Sequence, residues 1–275
     1  MKVYFVGAGP GDPELLTLKG ARILASSPVI IYTGSLVNPD ILRHAPPGAE
    51  IYDSSGMTLE QIVAVMVESV KRGKTVARVH TGDPSLYGAL QEQLERLEEL
   101  GVEYEIVPGV SSLAAAAASV RREYTLPGIA QTVIITRAGG RTPVPEKEAL
   151  AELARHGTTL CLFLSVQAIE EVAGELLKGY PPETPVAVVE KASWPEERVV
   201  RGTLADIAGK VRQAGINRTA LILVGDFLRG GRVRSRLYDG TFSHGYRSGR
   251  VAGPACGGKK GECPVRHDSG GGEGE

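Results

Sequence analysis

The stretch from Arg78 to Gly88 constrains this chain more than any other. Before it, Thr75-Val76-Ala77-Arg78-Val79 alternates with β-branched residues and predicts a buried strand. After it, Leu86, Leu90, Leu94 and Leu97 stand at helical spacing with Glu and Arg between them, which predicts a helix from Leu86 to Leu100. Thr81-Gly82-Asp83-Pro84 is then a tight loop at the carboxyl end of a strand, where parallel α/β sheets bind their ligands. Gly82 permits close approach to the backbone, and Pro84 suits a first helical turn. Asp83 is either a ligand-binding group or an ordinary helix N-cap.

The same rhythm recurs on both sides of this loop. Val3 to Val6 predicts a buried strand, followed by Gly7-Ala8-Gly9-Pro10-Gly11-Asp12-Pro13, with Asp12 as cap and Pro13 as first residue of a helix. This is half of a dinucleotide fingerprint and argues against NAD. The third glycine is replaced by Asp12, and the next strand, Pro28 to Thr33, ends in no acid that would hold a ribose. Thr33-Gly34-Ser35-Leu36-Val37 is another small-residue loop, and a short strand is expected near Glu50 to Asp53. Thr58 to Gln61 has the form of a capping box, with Leu59, Ile62, Val63 and Met66 on one helical face. Val102 to Val107 predicts a further strand ending in Pro108-Gly109-Val110-Ser111-Ser112. A parallel or doubly wound α/β domain follows, over residues 1–117.

Leu113 to Val120 is Ala-rich and helical and leads into a second α/β domain, residues 118–228. Its strands are expected at Thr132 to Thr136, Thr159 to Leu164, Val186 to Glu190, Arg198 to Gly202 and Ala220 to Val224, with helices starting near Pro145, Val166 and Leu204. Only the turn Ala192-Ser193-Trp194-Pro195 separates two of these strands, so a hairpin breaks the βαβ rhythm and the sheet should be mixed. Residues 229–275 hold 13 glycines and no apolar periodicity, and are expected to be disordered. Cys256, Cys263 and His267 lie there at a spacing that fits no closed zinc pattern, so no metal is assigned. Cys161, inside an apolar strand, reads as an inert core thiol.

Charge and hydropathy remove whole classes of function. With 31 Lys and Arg against 32 Asp and Glu, no basic surface points to nucleic acid. No apolar run is long enough to span a bilayer, and the N-terminus enters a strand at once where a signal peptide would stand. An odd count of three cysteines supplies no disulfide framework. A soluble, cytoplasmic α/β protein is expected.

Taken together, Val6-Gly7-Ala8-Gly9-Pro10-Gly11-Asp12-Pro13-Glu14-Leu15-Leu16-Thr17, Gly82-Asp83-Pro84 and Pro108-Gly109-Val110-Ser111-Ser112 resemble the successive signatures of the tetrapyrrole methylase family, in order, from residue 1 to about 228. Within it, Tyr32 to Val37, His80 to Pro84, Thr136 to Pro145 and Lys191 to Pro195 are similar to the precorrin-4 / cobalt-precorrin-4 C11-methyltransferases of cobalamin biosynthesis. Gly139 and Ser193 stand where many members have Glu and Thr, and the Gly-rich tail has no family counterpart. The resemblance implies two domains with a cleft between them, S-adenosyl-L-methionine as methyl donor leaving as S-adenosyl-L-homocysteine, and a homodimer. It implies donor contacts at Pro10, Gly82, Asp83, Leu86, Ser111, Ser112, Leu164, Ala192, Thr219 and Ala220, with Asp83 and the Gly82 backbone as the polar handles. The substrate would be a precorrin bearing acetate and propionate side chains, met by Asp12, Ser35, Arg137 and Arg141. The two arginines flank a Gly-Gly turn and offer bidentate forks for carboxylates, with Arg78 and Lys191 as lesser candidates. His80 is the candidate acceptor for the proton the macrocycle must lose. A tetrapyrrole methylase acting at another ring carbon, a protein or RNA methylase of the same broad family, and a non-catalytic tetrapyrrole carrier remain alternatives.

Overall fold

The fold is that of a computed structural model, which describes residues 1–140, 142–230 and 235–249. In chain order, β1 (Val3–Gly7), α1 (Leu18–Ser26), β2 (Val29–Tyr32), β3 (Glu50–Asp53), α2 (Leu59–Lys71), β4 (Val76–His80), α3 (Gln91–Glu99) and β5 (Tyr104–Val107) form the first half. Then come α4 (Ser112–Val120), β6 (Val133–Arg137), α5 (Leu150–Ala154), β7 (Thr159–Phe163), α6 (Ile169–Leu176), β8 (Pro185–Glu190), β9 (Arg198–Thr203), α7 (Ile207–Gln213) and β10 (Ala220–Val224). All of these belong to one compact unit, Met1–Val233.

β4 is buried at every position because it is central in a parallel sheet ordered β3-β2-β4-β1-β5. One face of that sheet, carrying Val6, Ala77 and Val79, packs with Ile23 and Leu24 of α1. The other face, carrying Phe5, Ile31 and Val76, packs with Ile62 and Met66 of α2 and Leu94 and Leu97 of α3. The Thr58–Gln61 capping box opens α2 as the sequence predicts.

The second sheet is mixed, ordered β6-β7-β10-β8-β9, with only β6 and β7 parallel. The β8–β9 hairpin closes through Lys191 to Glu197, as expected. On one face, α5, α6 and α7 bury Leu160, Leu162, Val188 and Ile222. On the other, Ala115, Ala116 and Val120 of α4 pack against Ala187, Val189, Leu221 and Leu223. The alanines leave room for α4 to lie close on this second sheet, although the helix follows directly on a strand of the first.

Three local expectations are corrected. Leu86 to Leu90 is not helical, because Tyr87 (φ 54°) and Ala89 (φ 45°) turn the chain left-handed before α3 starts at Gln91. Asp12 and Pro13 open only a three-residue 3-10 turn, and α1 begins later, capped by Thr17. The helix expected at Leu204 starts at Ile207. Arg141, Cys256, Cys263 and His267 lie outside the described residues. In the second unit, Arg234–Glu275, the described part holds a 3-10 turn at Arg236–Tyr238 and a His244–Arg247 bridge, with Arg247 Nη2 donating to the Leu237 and Asp239 carbonyls.

Candidate active site

The carboxyl ends of β1, β4 and β5 meet with no side chain between them. A Cβ at Gly7 would fall 2.5 Å from Gly109 Cα, and one at Gly109 would fall 2.2 Å from the Gly82 carbonyl oxygen. Glycine is required there by contact, not by turn geometry. Gly82 N donates to the Gly9 carbonyl at 2.8 Å and Gly9 N returns the bond at 3.3 Å, so the two loops form a small antiparallel bridge. Asp83 does not cap a helix. Its carboxylate accepts from Ser85 N at 2.9 Å and Ser85 Oγ, and from Gly109 N at 2.9 Å, tying the β4 loop to the β5 loop. Burial works to raise its pKa, but the Ser85 hydroxyl and the two backbone donors outweigh it and hold the group below its ordinary value.

Asp83 and the Gly82 backbone, expected as the donor's polar handles, are engaged within the protein, where they build the loop. Gly82 takes a left-handed conformation (φ 62°) against the β5 loop, where a Cβ would make ordinary contact with Ser111 Cα and Ser112 N, each at 3.7 Å. Ser111 caps α4, its hydroxyl accepting from Leu113 N at 3.2 Å and its carbonyl from Ala114 N at 3.0 Å and Ala115 N at 3.3 Å.

The second sheet presents an edge to these loops. Register places Ala220 opposite Glu190, and Leu164, Lys191 and Thr219 extend that edge, with Lys191 N donating to the Thr219 carbonyl at 2.8 Å. Leu164 is 74% exposed despite its apolar side chain, while Ala192 is buried. Two contacts lock the edges together. Trp194 Nε1 donates to the Pro10 carbonyl at 2.8 Å, its ring filling the space where a Gly11 Cβ would stand, and Asp12 N donates to Ser193 Oγ at 3.0 Å. Tyr87 and Phe163 pack ring on ring, centroids 5.2 Å apart. Of the seven described non-glycine residues with positive φ, six (Tyr87, Ala89, Leu164, Lys191, Ser193 and Thr219) lie on these facing edges, and such strain concentrates at functional sites.

The sequence placed Ser193 and Trp194 in the hairpin turn but assigned neither of them, nor Tyr87 or Phe163, a part in the site. The signal that was there is the pairing of a lone Trp in a short hairpin with a glycine loop lacking side chains to fill its own surface.

Other candidates are placed differently from expectation. His80 is 5% exposed, packed against Phe5, with Nε2 sealed and unpartnered. Burial, then the nearby Arg78 charge, push its pKa down to about 3 against a hydrogen bond to the Gly88 backbone, so it is a poor proton acceptor. Arg137 folds back on its own loop, donating from Nη1 to the Thr142 carbonyl at 3.0 Å and from Nη2 to the Pro143 carbonyl at 2.8 Å. It shapes that loop and offers no free fork. Ser35 is exposed on the β2 loop, its N–H donating to Ser55 Oγ. Lys191 Nζ lies 3.7 Å from Glu196 and 5.5 Å from the Trp194 ring centroid. Arg78, a lesser candidate for the substrate's carboxylates, is buried. Cys161 is a buried thiol pushed up to about 12 by burial, as fits an inert core residue.

A glycine-rich edge of the parallel sheet thus meets an edge of the mixed sheet built on Leu164, Ala192, Ser193, Trp194 and Thr219. The model of the Tetrapyrrole (Corrin/Porphyrin) Methylases matches residues 2–208. The chain belongs to the tetrapyrrole methylase family. Among its relatives, the Cobalt-precorrin-4 C(11)-methyltransferase of Methanocaldococcus jannaschii is 56% identical over 248 residues, 90% of this chain and 96% of that protein. The Precorrin-4 C(11)-methyltransferase of Pseudomonas aeruginosa is 50% identical, over 90% of this chain and 100% of that one. Among solved structures, a cobalt precorrin-4 methyltransferase matches with a TM-score of 0.81 at 49% identity, covering 82% of this chain and 95% of its own. A Thermus thermophilus uroporphyrin-III C-methyltransferase complexed with S-adenosylhomocysteine matches at 0.70 and 35%, covering 83% and 94%. Family membership accounts for the incomplete dinucleotide fingerprint at Gly7 to Asp12: in this family member the same loop meets the second sheet's edge through hydrogen bonds at Pro10 and Asp12 and the packing of Trp194 on Gly11.

Proposed function

We propose that this chain is an S-adenosyl-L-methionine-dependent methyltransferase that methylates C11 of precorrin-4 or cobalt-precorrin-4 in cobalamin biosynthesis. The observation that carries this is the 56% identity, across nearly the whole chain, to a protein named for that reaction. Similarity to the uroporphyrin-III enzyme is lower in both sequence and fold, which favours the C11 reaction over methylation at another ring carbon. A cytoplasmic homodimer is the setting we propose, on the family resemblance. Among the described residues, no helix is long and apolar enough to cross a membrane.

The residues present suit the donor. Gly82 presents bare backbone beside Ser111 and Ser112, and α4 begins there, so the positive end of its dipole favours a carboxylate. Leu164 presents an apolar surface fit for an adenine, with Ala192, Thr219 and Ala220 along the same edge and Pro10 and Leu86 on the opposite one. Bound there, S-adenosyl-L-methionine supplies a methyl group on a sulfonium and leaves as a neutral sulfide, so no new anion at sulfur needs stabilising. The protein's share of catalysis is alignment and exclusion of water. Asp83 fixes the loop that carries Gly82, the Trp194–Pro10 contact sets the separation of the two edges, and Tyr87 with Phe163 closes one side. Asp12 and Ser35 stand on loops at the macrocycle's side of this arrangement. Since His80 is buried and weakly basic, the proton lost from the macrocycle passes to water.

Incubation with methyl-labelled donor and either precorrin-4, its cobalt complex or uroporphyrinogen III tests the assignment. Label should enter a precorrin-4 form and not uroporphyrinogen III. Labelling of uroporphyrinogen III alone would move the chain to another branch of the family, and no labelling with tight macrocycle binding would make it a carrier.

A further inference from the structure

Arg78 is an anomaly of charge. It is 5% exposed, yet its guanidinium forms no ion pair with any described carboxylate. Its partners are neutral: Nε donates to Gln93 Oε1 at 3.0 Å, and Nη1 to Ser54 Oγ at 2.9 Å and more weakly to the Ile31 carbonyl at 3.5 Å. Among the described residues Nη2 makes no hydrogen bond, nor does Nε2 of the neighbouring His80. Two residues further along the same face of β4, that unpartnered imidazole adds a second basic atom with nothing to bind. Buried cations are ordinarily paired, because solvation lost on burial is recovered only by an opposing charge.

The partners of the guanidinium also hold the neighbouring loops. Ser54 Oγ also donates to the Tyr32 carbonyl at 3.0 Å and lies 3.3 Å from Thr33 Oγ1, at the root of the 33–37 loop. Gln93 Nε2 donates to the carbonyl of Ala89, one of the two strained residues of the 85–90 loop. The guanidinium's own partners thus hold a loop on either side of it and leave Nη2 without an acceptor.

We propose that Arg78 is the floor of a carboxylate site on the β2–β3 side of the cleft, and that it takes one acidic side chain of the macrocycle. The strand order decides between the possible carboxylates. Gly82, Gly109, Ser111 and Ser112 gather where β4, β1 and β5 end, whereas Arg78 turns toward Ser54 and Ile31, on β2 and the loop after β3. The donor's amino-acid group belongs to the first side and the macrocycle to the second. The inference rests on the proposed function, because only that reading brings acetate and propionate groups to this cleft. It also supplies the guanidinium that Arg137, folded onto its own loop, does not.

The test uses the full chain with Arg78→Met and Arg78→Lys, steady-state methyl transfer, and calorimetry with S-adenosylhomocysteine. Wild-type turnover first establishes the reaction itself. Arg78→Met should then raise the macrocycle KM about 10- to 100-fold while the S-adenosylhomocysteine Kd stays within about twofold, and Arg78→Lys should retain part of the difference. A folded Met variant with unchanged KM overturns the site, and a parallel fall in S-adenosylhomocysteine affinity reassigns the carboxylate to the donor. Should the Met variant not fold, or wild type not turn over, arginine side-chain 15N NMR of the wild-type chain reads the same contact. Arg78 signals should shift and become protected with the acid form of the macrocycle and not with its methyl ester. No shift with the acid form contradicts the proposal.

Discussion

An added Cβ at Gly109 would lie 2.2 Å from the Gly82 carbonyl oxygen and 2.7 Å from Gly7 Cα, so Gly109→Ala must push the β1, β4 and β5 loops apart. Overpacking of this kind costs about 1–3 kcal/mol, and here it also deforms the floor proposed for the donor. Urea titration should show that loss, and S-adenosylhomocysteine should bind at least about tenfold more weakly. Gly56→Ala, with nothing within 4 Å of its added methyl, should do neither. His80 gives a second prediction, in pH. Its folded pKa of about 3 is depressed from 6.5, so the unfolded chain takes up a proton that the folded chain does not. The stability held by neutral His80 is complete above pH 6.5 and is lost as pH falls toward 3. Between about pH 7.5 and pH 5 the loss should be about 2 kcal/mol, and His80→Gln should remove that part of the slope in denaturation curves. Methyl transfer by a folded His80→Gln enzyme should persist, whereas its abolition would return the histidine to the chemistry.

The β8–β9 hairpin and the loop after β1 act as a matched pair of elements. Trp194 fills the space that Gly11 leaves and donates to the Pro10 carbonyl, so the indole fixes how far apart the two sheet edges stand. Trp194→Phe removes the hydrogen bond together with part of the indole's packing on Gly11 and should cost about 1–3 kcal/mol in stability. Trp194→Ala removes the rest of that packing as well and should cost about 3–5 kcal/mol. Donor affinity measured by calorimetry should fall in the same order, and equal affinity in all three proteins would separate the hairpin from the site. The strands of this region were legible in sequence because β-branched runs bounded by Gly and Pro leave little choice. The helix start at Leu86 was not. A leucine stripe at helical spacing does not reveal that Tyr87 and Ala89 take left-handed conformations, which are held by Tyr87 packing on Phe163 and by Gln93 on the Ala89 carbonyl.

At the scale of the whole molecule, one parallel and one mixed sheet face each other through loops that carry nearly every polar residue the sequence nominated. The cleft was readable because glycine and proline at successive strand ends mark where backbones must approach. What each charged group does there was not readable. Asp83 and Arg137 are bound to their own backbone, and Arg78 is buried without a counter-ion, outcomes fixed by tertiary neighbours and not by spacing. The most direct test is the position of the transferred methyl. The full chain, incubated with [methyl-13C]-S-adenosylmethionine and with precorrin-4 or its cobalt complex, should give a product with a single new methyl resonance correlated by long-range NMR couplings to C11. Transfer to a different ring carbon would contradict the account.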